Sequence, residues 1–338
     1  MTPRVTLTVG SVRYDTHVTE AVVSLGFLPG VGTAHISLPS ATQFDAAPGE
    51  NVEITLNSGE REAVVLTGTI GALHRDLRAV EIVAADAGAL LGSARPAATF
   101  EALSAGDVIR KLAGEAGVEV RISGADVELP YYVAHQGQTA AEHVAALARL
   151  CGCLALVNAE GAVDVHPTPQ GRPEVALRYG RELLDYRAAS RPVAPSFVRL
   201  GSGPAGNTGA PNALLPSFDR LPASAPAPGT ETRWIPTSVI KTPGGATTAS
   251  NAESRVHAAS RHQVRAVCFL LPHIRPGAVL EVQDLPEELA SGPWLVTRVR
   301  HHVGSPRGAR TIIEGWTAKT GSLFDGIFGA ALAGGGLL

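Results

Sequence analysis

Short segments near both ends of the chain alternate apolar and polar residues with a period of two. Successive side chains of a β-strand point to opposite faces, so this alternation predicts strands with one buried face. The apolar members of the N-terminal set are Val5, Leu7, Val9, Val52, Ile54, Leu56, Val80 and Ile82. Pro48-Gly49 and Ser58-Gly59 mark turns between these segments. Several short strands at this spacing predict a barrel or a sandwich over residues 1–98.

The periodicity becomes helical over residues 99–172. Ser104 is placed to cap a first helix, and Gly117 is placed to end it. Thr139 and Glu142 have the spacing of a capping box at the start of a second helix. A hairpin is predicted from two apolar runs at 154–157 and 163–166. These elements together predict a small α+β module.

Residues 173–320 return to a β pattern. The predicted strands are 175–179, 197–200, 278–282, 294–303 and 310–316. Glycine and proline are frequent from 201 to 247, which predicts a long exposed loop. One helix is predicted within 249–265, and its expected inward residues are Ala252, Val256, Ala259 and Val264. The predicted fold class is therefore mainly β with an α+β insert that joins two β regions.

Residues 321–338 form an apolar, glycine-rich tail. Phe324, Ile327 and Phe328 recur there at helical spacing, which predicts a docking segment. Gly334 to Gly336 weaken any helix, so a disordered terminus is the alternative. Trp294 and Trp316, on the predicted C-terminal strands, are two further interface candidates.

Composition excludes several classes of function. The formal net charge is −3 and only 5% of residues are aromatic. A basic groove interleaved with aromatic residues is therefore not expected, and no specific nucleic acid is a predicted partner. No run of about 20 apolar residues is present, so no membrane insertion is expected. The 3 cysteines are too few for a disulfide framework.

No arrangement of residues in the sequence predicts catalysis or metal binding. Cys151 and Cys153 are separated by one residue, which is not the spacing of a zinc pair, and Cys151 is expected to pack in the core. His301 and His302 are adjacent on a predicted strand and so point to opposite faces. His257 and His262, on the predicted helix, and His135 and His143, without a carboxylate cluster, are assigned structural or surface roles. No catalytic residue, cofactor or metal is therefore predicted, and the chain is not expected to be an enzyme.

Several segments taken in order resemble the phage late-control D family, which includes the hub portion of type VI secretion spike proteins. The similar segments are residues 49–54, 66–70, 80–86, 90–91, 105–120, 138–164, 177–184, 274–277 and 294–301. The resemblance implies a baseplate hub with two barrel-like tube domains, at residues 1–98 and 173–320, joined by the module at 99–172. Three chains would then form a ring of six barrels.

The implied partners are two further copies of the chain in a homotrimer, the tail tube protein, a separate spike protein and baseplate wedge proteins. The hub would link a sixfold tail tube to a threefold spike. The resemblance implies assembly in the bacterial cytoplasm into a phage or phage-tail-like particle. Two alternatives remain open, namely an adaptor that loads an effector onto the spike and a tail-tip enzyme that degrades the cell wall.

Overall fold

The fold is described from a computed structural model, which covers residues 3–15, 18–169, 172–191, 196–201, 232–286, 292–304 and 308–318. These residues form mainly β structure, with twenty strands and four helices. The expected fold class is confirmed to this extent. The expected interface residues Phe324, Ile327 and Phe328 lie outside the described residues.

The N-terminal region consists of seven strands. They are β1 (Arg4–Val9), β2 (Val12–Tyr14), β3 (Glu20–Gly26), β4 (Thr33–Pro39), β5 (Asn51–Asn57), β6 (Glu62–Arg75) and β7 (Ala79–Asp86). Burial alternates residue by residue along β1, β5 and β7, as the sequence pattern predicts. The buried apolar residues of the seven strands, including Tyr14 of β2, belong to one cluster, to which Phe44 also contributes.

The α+β module follows. Its elements are α1 (Gly88–Ser93), β8 (Ala98–Ser104), α2 (Ala105–Glu115), β9 (Val120–Ile122), β10 (Glu128–Ala134), α3 (Ala140–Leu150), β11 (Cys153–Val157) and β12 (Val163–Pro167). The Ser104 hydroxyl accepts the first-turn N–H of Asp107, and Thr139 and Glu142 form the expected capping box. Gly117 follows α2 with a φ of 71°, in the left-handed region that glycine tolerates best. Both predicted helices and the hairpin are confirmed.

The C-terminal region contains the remaining elements. They are β13 (Val175–Arg178), β14 (Leu183–Ser190), β15 (Ser196–Gly201), β16 (Thr232–Thr237), α4 (Pro243–Ser260), β17 (His262–Phe269), β18 (Val279–Gln283), β19 (Trp294–Gly304) and β20 (Arg310–Thr317). Two predictions are wrong here. The predicted loop 201–247 contains strand β16 and the start of α4, and residues 202–231 lie outside the described residues. The predicted helix 249–265 ends at Ser260, so His262 and Val264 lie on β17 instead.

The two β regions share one sheet of thirteen strands. Its main path runs β14-β17-β20-β19-β3-β4-β7-β6-β5-β1-β2, and β13 and β18 lie off this path. The connection between the regions is the antiparallel pair β19–β3, which extends from Arg298 opposite Gly26 to Gly304 opposite Glu20. The two regions are therefore separated along the chain by the module but adjacent in space. The path does not close on itself among the described residues, so two closed barrels remain a prediction.

Helix α4 packs with the module. Ala246 and Ala249 of α4, together with Ile240 just before the helix, belong to the same buried cluster as the apolar faces of α2 and α3. The C-terminal strands have their own cluster around Trp294, Cys268 and neighbouring aliphatic side chains. The domain boundaries at 98/99 and 172/173 remain predictions. No helix in the described part of the chain is long and apolar enough to cross a membrane.

Candidate interaction surface

Trp316 lies on the outer face of the shared sheet, whereas Trp294 does not. Along β20 every second residue is buried, and Trp316 belongs to the half-buried outer set. Trp294 is 0% exposed within the C-terminal cluster, where its side chain interacts with Tyr186. A completely buried side chain supports the fold of its own chain. Trp316 is therefore the interface candidate that we retain.

Two concave areas lie on either side of Trp316. The first, of about 400 Å³, is lined by β14, β17 and β20, including Arg187, Gln263 and Arg265. The second, of about 390 Å³, is lined by β20, β19 and the end of β3, including Arg298 and Gly26. Thr297 and Glu314 line both areas as well. The sheet therefore presents a half-buried tryptophan between two shallow depressions, an arrangement typical of protein interfaces.

Register places the residues of this surface in rows across the strands. Arg187 lies opposite Arg265 on β17, and Arg265 lies opposite Glu314 on β20. Glu314 in turn lies opposite Arg298 on β19. Gln263 and Leu295 lie opposite Trp316 on its two sides.

The ion pairs of this surface are long and exposed. Asp185 lies 3.8 Å from Arg187 and 3.7 Å from Arg265, and Glu314 lies 3.5 Å from Arg298. Exposed pairs of this kind contribute at most about 1 kcal/mol each. The arginines are therefore free to reorient toward a partner at little cost.

A separate depression of about 440 Å³ contains the two cysteines that the sequence singled out. Cys151, Cys153 and Asp126 line it together with the start of α4. Burial raises the pKa of the Cys151 thiol to about 12 and raises that of Cys153. The thiolate is the reactive form of cysteine, so burial disfavours reaction of both side chains at neutral pH.

Tyr132, His135 and His143 of the module form a hydrogen-bonded cluster that the sequence does not predict. The Nδ1 atom of His143 lies 2.7 Å from the Tyr132 hydroxyl, and its Nε2 atom lies 3.2 Å from the carbonyl of His135. Burial lowers the pKa of His143, which favours the neutral ring. In that form Nε2 donates and Nδ1 accepts, so both ring nitrogens are occupied. In the described ranges no three His, Cys, Asp or Glu side chains are grouped to hold a metal ion.

Arg275 connects the three parts of the chain. Its guanidinium donates to the carbonyls of Val64 and Val65 at 3.3 and 3.0 Å and to that of Val157 at 3.4 Å. The positive charge of Arg275 lowers the pKa of Asp86, but burial has the larger effect and raises the pKa of this carboxyl to about 6. His301 is completely buried nearby, and burial lowers its pKa to about 3. A lone arginine gives no sequence signal for such a contact, because all its partners are backbone carbonyls of other segments.

Glu253 of α4 is the centre of a second buried polar contact. Its carboxylate lies 2.6 Å from Arg149 of α3, 2.8 Å from Arg199 of β15 and 3.0 Å from His257. Burial raises the pKa of Glu253, but the Arg199 hydrogen bonds and the charge of Arg149 outweigh it and hold this pKa below its ordinary value. His257 and Glu253 are four residues apart on one helix, a spacing that brings side chains together, so this pair could have been predicted from the sequence.

Known structures share this fold over almost the whole chain. A tail protein from Neisseria meningitidis has a TM-score of 0.72 at 13% identity, covering 94% of this chain and 97% of that one. The 43 kDa tail protein of prophage MuSo2 from Shewanella oneidensis has a TM-score of 0.68 at 14% identity, covering 94% and 99%. The c3393 protein of E. coli, a component of the type VI secretion system, has a TM-score of 0.61 at 10% identity, covering 92% and 76%. No family model and no curated protein matches the sequence.

Proposed function

We propose that this chain is the hub subunit of the baseplate of a contractile, phage-tail-like particle. The observation that carries the proposal is the single sheet in which β19 joins β3, in a fold shared end to end with phage tail proteins. Two β regions placed side by side in this way offer two neighbouring contact surfaces per chain. The role is structural, not enzymatic.

A homotrimer follows from the number of these surfaces. A sixfold tail tube that ends on a threefold spike needs six similar contacts on one side and three on the other. Three chains with two barrel-like regions each would provide both. A cyclic trimer is closed by head-to-tail contacts, so each chain needs two different surfaces that fit each other. The tail tube, a separate spike protein and baseplate wedge proteins are the remaining partners, with assembly in the bacterial cytoplasm.

The symmetry of the assembled particle tests the proposal. We expect electron cryomicroscopy of purified particles to show three copies of the chain at the junction of tube and spike, with both β regions facing the tube. Six whole copies, or a single copy, at this position would refute the hub.

Trp316 provides a test by substitution. We expect Trp316→Ala to lower incorporation of the chain into particles at least about tenfold, because central tryptophans often dominate interface energies. Circular dichroism should show a folded chain, since the side chain is only half-buried. Trp234→Ala is the matched control, because Trp234 is 53% exposed on β16, outside the surface around Trp316. Equal incorporation of both variants would remove Trp316 from the interface.

A further inference from the structure

Charge is distributed unevenly along the chain. Residues 1–172 contain 11 Lys and Arg against 19 Asp and Glu, whereas residues 173–320 contain 17 against 11. The small overall charge of −3 conceals this division. Such an asymmetry between two parts of one chain indicates surfaces of opposite potential.

The outer side of the C-terminal strands carries five arginines that are exposed or half-buried. We call this the basic face, and it consists of Arg187, Arg265, Arg298, Arg300 and Arg310, with Asp185 and Glu314 between them. No ion pair involving Arg300 or Arg310 occurs among the described residues. The basic face therefore keeps an excess of three positive charges that no carboxylate in the described part of the face balances.

The outer side of the N-terminal strands has the opposite character. We call it the acidic face, and it consists of the exposed residues Glu20 on β3, Glu53 on β5, Glu62 on β6 and Glu81 on β7. Arg4 and Arg13, on the outermost strands β1 and β2, leave a net negative charge. Neither Glu53 nor Glu81 has an ion pair among the residues described.

The two faces lie toward opposite ends of the sheet path. The basic face is on β14, β17, β20 and β19, whereas Glu53, Glu62 and Glu81 are on β5, β6 and β7. Two copies related by a rotation can therefore bring the basic face of one against the acidic face of the next. This geometry suits a head-to-tail contact, which continues around a ring, better than a face-to-face pair.

We propose that the basic face of each copy binds the acidic face of the next copy, so that the ring is closed by electrostatic head-to-tail contacts. The proposal rests on the trimeric hub proposed above and specifies which surfaces meet. Opposite potentials steer association and fix register, while like faces repel and exclude other arrangements. Trp316 lies within the basic face and supplies its apolar centre.

Self-association of the full chain in solution tests the contact. We expect trimers at 50 mM NaCl by native mass spectrometry and sedimentation. The apparent dissociation constant should rise at least about tenfold at 500 mM NaCl, because the screening length shortens from more than 10 Å to less than 8 Å. A chain that stays monomeric at 50 mM NaCl, or trimers insensitive to salt, would overturn the contact. A salt-sensitive dimer would overturn the head-to-tail arrangement.

Charge reversal identifies the surfaces. Arg300→Glu with Arg310→Glu makes both faces acidic, and Glu53→Arg with Glu81→Arg makes both basic. Each double variant should associate at least about tenfold more weakly than the wild type. All four reversals in one chain should restore the trimer, because the two faces have then exchanged sign. Equimolar mixing of the two double variants should restore dimers of one acidic and one basic variant. It should not restore trimers, because a ring of three must place two copies of the same variant next to each other, and their like charges repel.

The matched control reverses two exposed charges of the module, Lys111→Glu with Arg172→Glu, and should leave the trimer unchanged. Failure of the four-residue variant to trimerise, although circular dichroism shows it folded, would mean that the two faces do not meet. Threefold density in particles would still support the hub in that case. Absence of threefold density would instead refute the hub, so the two failures are distinguishable.

Discussion

Replacement of Arg275 by methionine is expected to lower the free energy of unfolding by about 3–5 kcal/mol. The Arg275 side chain is partly buried, and methionine leaves the carbonyls of Val64, Val65 and Val157 without this donor. Each buried acceptor that loses its partner costs about 1–3 kcal/mol, so three together make a large loss. Urea denaturation followed by circular dichroism measures it.

The control for Arg275→Met is Arg300→Met. Arg300 is exposed on β19, so its replacement should change stability by less than about 0.5 kcal/mol. Equal effects of the two substitutions would contradict a connecting role for Arg275. Because Arg275 contacts β6 and β11 from the C-terminal region, we also expect Arg275→Met to broaden the transition, as the three parts then unfold less cooperatively.

The second large effect is expected for Glu253→Gln, which should lower the free energy of unfolding by about 3 kcal/mol at pH 7. The substitution keeps the shape of the side chain but leaves Arg149 and Arg199 side by side without their shared carboxylate. Glu119→Gln removes an exposed pair with Arg121 instead and should cost less than about 1 kcal/mol.

The pH dependence of the difference in stability between the wild type and Glu253→Gln provides a further check. The pKa of Glu253 is lower in the folded chain than the ordinary value of 4.5, so its pairs stabilise the fold above that pH. The stabilisation is lost as the pH falls through the folded pKa and the carboxylate becomes protonated. Wild type and Glu253→Gln should therefore differ fully at pH 7 and converge below pH 4.5. A constant difference across this range would show that charge is not what stabilises the contact.

Local signals in the sequence were sufficient for much of the secondary structure. Ser104, Thr139 and Glu142 act through hydrogen bonds to neighbouring backbone, so their effect is visible within four residues. Alternation along β1, β5 and β7 was equally reliable because one side of each strand faces a core.

The predictions failed where local signals conflict with the tertiary structure. Helix α4 starts with Pro-Gly-Gly, a sequence that favours a loop, but Pro243 fits the first helical turn and Thr242 caps the helix. The sequence does not predict strand β14, because this strand forms one end of the main path of the sheet and alternates only weakly between buried and exposed residues. Trp294 and Trp316 both lie on predicted strands, and their burial and the register between β19 and β20 show that they lie on opposite sides of the sheet.

The surface around Trp316 could be predicted only in part. The sequence indicates Trp316 itself as an interface candidate. The arginines around it come from β14, β17 and β19, and local sequence patterns do not predict the order of these strands in the sheet. The pair β19–β3 is the clearest case, since its partners lie near opposite ends of the chain.

The pair β19–β3 also has a consequence for biosynthesis. Strand β3 is made well before its partner β19, which emerges from the ribosome more than 260 residues later. Until then one edge of the N-terminal sheet has no partner, and an open edge is prone to pair with other chains. Contacts between distant parts of a chain also form slowly. The nascent polypeptide therefore passes through a period in which a chaperone that shields β3 would improve the yield of soluble protein, and a prematurely terminated chain that lacks β19 should aggregate.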